Sequence, residues 1–168
     1  SINEYSVHFK QLGLDAENMF NMLANGAAAG TFSVDKLGDA VKEFGIRVKN
    51  GTGDEAFTAL GISAEAAKQA FAEGGTAAQD MFKDVNAALF GMDDKVQQNT
   101  LGVQLYGTMW EDLGAEGVKA LSDIGGEFDR TYESMEQLKD IKYNDLGSAL
   151  EGLKRLLETD VLLPISQE

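Results

Sequence analysis

The sequence predicts an all-α protein, an array or bundle of short helices followed by a longer C-terminal helix. Apolar residues recur every three or four positions along most of the chain, which is the period of a helix with one buried face. The single proline, Pro164, leaves all preceding residues free of the strongest helix breaker. Most of the 19 glycines stand where such an apolar stripe ends. No segment alternates long enough to predict a strand, and residues 46–48 are the one short candidate.

Three helices are predicted before the turn that begins at Asn50. Residues 1–11 form the first, Gly13 interrupts the chain, and Asp15 is the predicted N-cap of a second helix that ends near Gly26. Ser33 is the predicted cap of the third. Its apolar positions step by three and four residues, as in an amphipathic helix. They are Val34, Leu37, Val41, Phe44 and Val48.

Capping signals predict the helices that follow Asn50. In a capping box, a threonine and an acidic or amide side chain three residues later each satisfy a free backbone N–H. The pattern occurs as Thr52 with Glu55, Thr76 with Gln79, and Thr108 with Glu111. Ser63 and Asp93 are predicted to begin two further helices.

The stretch from Asn99 to Gly114 contains the only tryptophan. It predicts a one-turn helix over residues 109–113 that turns Trp110 inward and is closed by Gly114. Tyr106, Met109 and Trp110 are therefore candidate anchors of the core or of an interaction surface. A ligand stacked on Trp110 is the alternative interpretation, although tryptophan more often anchors a core.

Two domains are predicted. Residues 1–125 form a compact helical domain, and residues 126–168 form a long, charged amphipathic helix with a C-terminal tail, either continuous or broken near residues 143–145. Four leucines form a stripe that one helix alone leaves exposed, so this region docks on the first domain or associates with itself. They are Leu146, Leu150, Leu153 and Leu157.

An internal repeat is also visible, at an offset of 48 in the numbering. Residues 12–17 resemble residues 60–65, and the same offset places Gly26 on Gly74. Two copies of a helical hairpin explain this similarity, since such spacings are typical of helical arrays. Coincidence between two glycine-terminated helices is the alternative.

Composition excludes several classes of function. Fourteen basic and 28 acidic side chains give a net charge of −14, which disfavours direct binding to nucleic acid or anionic membranes. The chain has no cysteine, so it forms no disulfide. No apolar run approaches the ~20 residues of a membrane span. Neither end resembles a natural start or stop, and we expect a segment of a longer polypeptide.

The sequence predicts no catalytic, cofactor-binding or metal-binding residues. His8 is the single histidine. A zinc site needs several ligands, and a base–nucleophile pair needs a third group that orients the base, so His8 alone predicts neither. Adjacent carboxylates fall in predicted first helical turns, where they favour the helix dipole. The glycine-containing stretch at residues 26–31 lacks the lysine of a phosphate loop. The basic cluster of Lys36, Lys42, Arg47 and Lys49 is interleaved with acidic residues and predicts a solvated helix face.

The segment NTLGVQLYGTMWEDLG, residues 99–114, resembles phage tail tape-measure proteins of the minor-tail-protein type. Further similar segments lie at residues 34–36, 41–49, 60–62, 74–75, 92–94, 145–148 and 162–166. The resemblance implies an internal segment of a long, mainly helical chain whose length sets tail length while tube subunits polymerise around it. It implies tail tube and tail assembly chaperone proteins as partners, a location in the virion tail, and assembly in the host cytoplasm. It implies no catalytic residues.

Two other functions remain open from the residues themselves. One is a helical protein-binding module that uses the Trp110 region or the C-terminal stripe. The other is a segment of a cell-wall hydrolase, which the sequence disfavours. Within the tape-measure interpretation, we expect the segment to be compact alone and extended in the tail, where 168 helical residues would span roughly 250 Å.

Overall fold

The computed structural model describes residues 2–28, 34–122, 142–146, 148 and 151. Across these residues it is all-α, with eight α-helices and no strand, which confirms the predicted class. The helices are α1 (Ile2–Gln11), α2 (Ala16–Ala28), α3 (Val34–Lys49), α4 (Asp54–Ala59), α5 (Ala64–Glu73), α6 (Gly75–Phe90), α7 (Lys95–Tyr106) and α8 (Thr108–Ser122). The strand candidate at residues 46–48 lies within α3.

The turns after α1 and α4, which the sequence repeat aligns with each other, have the same hydrogen bonds. Gly13 and Gly61 adopt φ of 82° and 79°, the left-handed region that glycine enters without strain. In the first turn the N–H of Leu14 donates to Phe9 O, and in the second the N–H of Ile62 donates to Phe57 O. Each is a Schellman motif that satisfies the last carbonyls of a helix.

The repeat does not extend from these turns to the whole hairpins. Gly74 follows the last residue of α5, whereas Gly26 lies inside α2, so the two glycines are not in equivalent positions. The helices α3 and α6 have equal lengths of 16 residues, but they begin at Val34 and Gly75, which is a different offset. The sequence similarity is therefore a property of the turns.

Two caps are confirmed and one is displaced by a residue. Asp15 Oδ1 accepts from the N–H of Asn18 at 2.8 Å, and Ser63 Oγ accepts from the N–H of Ala66 at 3.2 Å. Helix α7 is capped by Asp94 rather than Asp93, because the Asp94 carboxylate accepts from two N–H groups of the first turn.

The three threonine capping boxes do not form. Thr52 lies before Gly53, the N-cap of α4, and its N–H is held by the Asn50 side chain at 2.9 Å. Thr76 is the second residue of α6, which begins after Gly74 at φ 78°. Thr108 is the first residue of α8 rather than its cap. A glycine precedes each of these helices and sets its start.

Helix α3 lies at the centre and packs against α1, α5, α7 and α8. Its apolar face is buried as predicted, at Leu37, Val41, Phe44 and Val48. The Phe44 ring contacts four other aromatic rings with centroids 5.2–6.5 Å away: Phe57, Phe71, Phe82 and Tyr106. The three phenylalanines are edge-on to it, the arrangement that aromatic quadrupoles favour.

Beyond α8, the described residues 142–146 pack back onto the first helices. Lys142 is extended and residues Tyr143–Asp145 form one 3-10 turn, so no continuous α-helix passes through these residues. This is the position at which the sequence allowed a break in the helix. The Tyr143 hydroxyl donates to Leu14 O at 2.7 Å, and Leu146 is fully buried. The rest of the predicted helix over 126–168 lies outside the described residues, except 148 and 151.

Candidate functional site

Trp110 is held in a cluster with the rings of Phe90 and Tyr106 and the backbone of Gly102, hereafter the Trp110 cluster. The indole stacks on Phe90, with centroids 5.8 Å apart, and on Tyr106, at 6.4 Å. Its Nε1–H donates to Asn99 Oδ1 at 3.1 Å. Gly114, with φ of 74°, kinks α8 one turn after the tryptophan. The short helical turn and its glycine end thus match the prediction, although the helix resumes directly after the kink.

Gly102 of α7 makes room for the indole. A Cβ at this position would overlap three ring atoms of Trp110. Gly38 of α3 is placed in the same way beneath the ring of Tyr5. A glycine inside a helix costs about 1 kcal/mol relative to alanine, and here that cost permits close approach of an aromatic ring. These two glycines inside helices therefore serve the close approach of an aromatic ring.

A buried polar network lies beneath the Trp110 cluster. The Tyr106 hydroxyl donates to Asn86 Oδ1 at 2.6 Å, and Asn86 Nδ2 donates to Phe82 O at 2.8 Å. Gln98 Nε2 donates to Leu89 O at 3.0 Å, which joins α7 to α6. Burial raises the pKa of Tyr106 well above its ordinary value of 10, and the bond to Asn86 opposes this only in part. Tyr106 therefore remains a neutral hydrogen-bond donor.

An open groove of about 400 Å³ runs beside the cluster. Its walls are Asn99, Val103, Trp110, Glu111, Gly114 and Ala115. The tryptophan itself is only 3% exposed, so no ring face is free for a stacked ligand. The structure therefore argues against ligand stacking on Trp110 and favours packing as its role.

The predicted anchors separate into two groups. Tyr106 and Trp110 are buried in the Trp110 cluster, and Met109 is buried in the same hydrophobic core. Leu146 is buried in the segment that returns to the first helices. Leu150, Leu153 and Leu157 lie outside the described residues. A role for any of these residues in binding a partner stays a prediction.

Asn86, Gln98 and Asn99 were not predicted from the sequence as parts of this site. Asn86 stands beside Val85 on an otherwise apolar helix face, and that interruption was the available signal. Its partner Tyr106 is 20 residues away, a separation that helix periodicity does not address.

Lys36, Lys42 and Lys49 of the basic cluster are exposed as predicted, but the four residues do not share one face of α3. Arg47 is about one-quarter exposed and lies 3.9 Å from Glu43 across one helical turn. Lys42 and Lys49 instead line pockets on another side of α3. This division arises because α3 is central, so that several of its faces contact other helices.

Within the described residues, no group of three or more histidine, aspartate or glutamate side chains converges as a metal site would. No helix among them is both long and apolar enough to cross a bilayer. The described residues thus define an all-α protein in which the Trp110 cluster is part of the packed core.

Residues 1–107 match a family model described as phage-related minor tail protein. Because the match covers more than half of the chain, the chain belongs to the phage-related minor tail protein family. This membership supports a structural role in a phage tail and an association with the virion tail. Neither the curated proteins nor the solved structures contain a match.

Proposed function

We propose that this chain is a segment of a tail tape-measure protein, and that it contributes to tail assembly by occupying a defined length of the tail tube. The observation that carries the proposal is the family match over residues 1–107, within a chain whose described residues are all helical or connecting turns. A helical chain converts residue number into length at ~1.5 Å per residue, which is the property a molecular ruler needs.

If the chain is compact when isolated and also sets tail length, the same helices must adopt two arrangements, one compact and one extended. Alone, α1–α8 bury a shared core around Phe44 and Trp110. Inside a tail, the helices would align end to end, with the connecting glycines Gly13, Gly61, Gly74 and Gly107 as hinges. Glycine allows this because it adopts both signs of φ without a steric penalty.

The partners in this proposal are the tail tube, which would surround the extended state, and a tail assembly chaperone, which would cover apolar side chains before assembly. We also propose that residues 126–168 either dock on the first domain or associate with a second copy of the chain. Assembly would take place in the host cytoplasm and leave the segment in the virion tail. In this role the chain is not an enzyme, since it acts by length and contact.

The proposal is tested by changing the length of the segment inside its parent gene. Deletion of residues 34–122 should shorten the tail by roughly 130 Å, and duplication of the same residues should lengthen it by the same amount. Electron microscopy of intact virions measures both. A matched control, Lys83→Glu at an exposed position of α6, should leave the tail length unchanged. Tails of native length in both the deletion and the duplication would contradict the proposal.

A further inference from the structure

Two adjacent pockets form a cleft between α1, α3 and α5, which we call the basic cleft. The larger has a volume of about 220 Å³ and is walled by apolar residues that include Leu12, Val48 and Phe71. The smaller, of about 90 Å³, lies against Val41 and Ile46. The pockets share Gln11 and Lys49, so they are neighbours along the same helices.

Lysines line this cleft in a chain that is otherwise strongly acidic. Lys42 and Lys49 stand seven residues apart on α3, and Lys68 of α5 lies at the far end. Lys68 pairs with Asp54 at 3.3 Å. Among the described residues, no carboxylate lies within ion-pair distance of Lys42 or Lys49. Ile46 on the rim is 44% exposed, so the cleft combines positive charge with apolar surface.

The outer face of α7 has the opposite character. Val96 is 78% exposed and Val103 is 37% exposed, and they lie seven residues apart on the same side of the helix. Exposed carboxylates flank them, with Asp93 and Asp94 before the helix and Glu111 across the groove beside Val103, and they outnumber the one charged residue of α7 itself, Lys95. We call this surface the acidic ridge.

The two surfaces match in spacing and in charge. Seven residues of a helix rise about 10 Å along its axis. This rise separates Lys42 from Lys49 in the cleft, and it also separates Val96 from Val103 on the ridge. The cleft offers two pockets and the ridge offers two aliphatic side chains. At physiological ionic strength, charges beyond ~8 Å are screened, so contacts between lysine and carboxylate outweigh repulsion between the net charges of two copies.

We propose that the basic cleft of one copy binds the acidic ridge of a second copy. Because the cleft and the ridge are different surfaces of one chain, the contact is heterologous and leaves a free cleft at one end and a free ridge at the other. The surfaces are small, and the association is correspondingly weak, with a dissociation constant on the order of 10⁻⁴ M. It is separate from any association through residues 126–168.

Sedimentation equilibrium of the full chain, from about 10 µM to about 1 mM, tests the proposal. The weight-average mass should rise above the 18.1 kDa monomer with concentration and should fall when salt is added. Two variants separate the surfaces. Lys42→Glu/Lys49→Glu removes the cleft, and Val96→Lys/Val103→Lys removes the ridge. All four positions are exposed, and circular dichroism confirms that each variant folds.

Each variant alone should lose the salt-sensitive rise in mass with concentration, whereas an equimolar mixture should regain it as heterodimers, since one intact cleft and one intact ridge remain. Lys83→Glu/Lys119→Glu changes the net charge by the same amount as the cleft variant, but outside both surfaces, and should associate like the native chain. A native chain that stays monomeric throughout the concentration range overturns the proposal. So does a salt-sensitive rise in mass that both variants show as strongly as the native chain, which would place the contact elsewhere, and so does a mixture that does not regain this rise.

Discussion

The contact between Gly102 and Trp110 gives the sharpest prediction of stability. Alanine at position 102 would place its Cβ among three atoms of the indole ring. The ring cannot easily move, since it stacks on Phe90 and Tyr106 and its Nε1–H is bonded to Asn99. Overpacking of this kind costs up to about 3 kcal/mol. Alanine regains about 1 kcal/mol of helix propensity, so the free energy of unfolding should fall by about 2 kcal/mol.

Gly45→Ala is the matched control. Gly45 is also inside a helix, but the nearest atom to its added Cβ is Leu12 Cδ1 at 3.9 Å, an ordinary contact. The same substitution should therefore raise the free energy of unfolding by about 0.5–1 kcal/mol. Urea unfolding followed by far-ultraviolet circular dichroism measures both variants, and the melting temperature of Gly102→Ala should fall by about 4–8 °C.

Substitutions at Gly102 and Trp110 should also be energetically coupled. In a Trp110→Leu background the ring is gone, so Gly102→Ala should change from destabilising to neutral or stabilising. Gly102→Ala as stable as the native chain, or equally destabilising with and without the indole, would refute the packing argument.

Three further predictions concern hydrogen bonds and titration. Tyr106→Phe should lower the free energy of unfolding by about 1–3 kcal/mol, because it leaves the buried Asn86 Oδ1 without its donor, and Asn86→Leu in the same chain should recover part of this loss in a double-mutant cycle. Asp94→Ala should cost about 1 kcal/mol, because this side chain caps α7, whereas Thr76→Ala should cost little; equal losses in thermal unfolding would contradict the assigned caps. The pKa of Tyr106 is higher in the folded chain than its unfolded value of about 10, so its contribution to stability is complete below pH 10 and is lost as the pH rises above it. The free energy of unfolding should therefore fall with pH above 10, and it should fall less steeply in Tyr106→Phe. The same pH dependence in both chains would refute this.

Much of the helical order could be predicted from the sequence because it depends on local chemistry. The stripe of α3 needed only helical periodicity, and the ends at Gly13, Gly61 and Gly114 needed only a residue that tolerates positive φ. Ser63 and Asp15 were predicted as caps for the same reason, since a cap bonds N–H groups three residues away.

The capping boxes failed where two local signals competed. Thr76 with Gln79 satisfies the pattern, but Gly74 turns the chain two residues earlier and moves the helix start ahead of the threonine. The same competition explains the start of α4 at Asp54. A motif of fixed spacing does not show which of two adjacent starts the tertiary contacts will favour.

The internal site depended on contacts that are distant in sequence. The sequence indicated that Trp110 turns inward, but its stacking on Phe90 joins residues of α6 and α8. The basic cleft was hidden for the same reason, since its walls come from α1, α3 and α5. Periodicity identifies the face of a helix that is buried without identifying its neighbour.

The proposed change from a compact to an extended state is tested most directly by one distance. The chain has no cysteine, so spin labels can be placed at the exposed positions Val7 and Lys83 through two introduced cysteines. In the isolated chain, with a radius of gyration of about 15 Å, the labels should lie within about 40 Å of each other. In assembled tails we expect the two labels to lie roughly 110 Å apart, so that the short distance of the isolated chain is no longer observed. The same short distance in both states would contradict it.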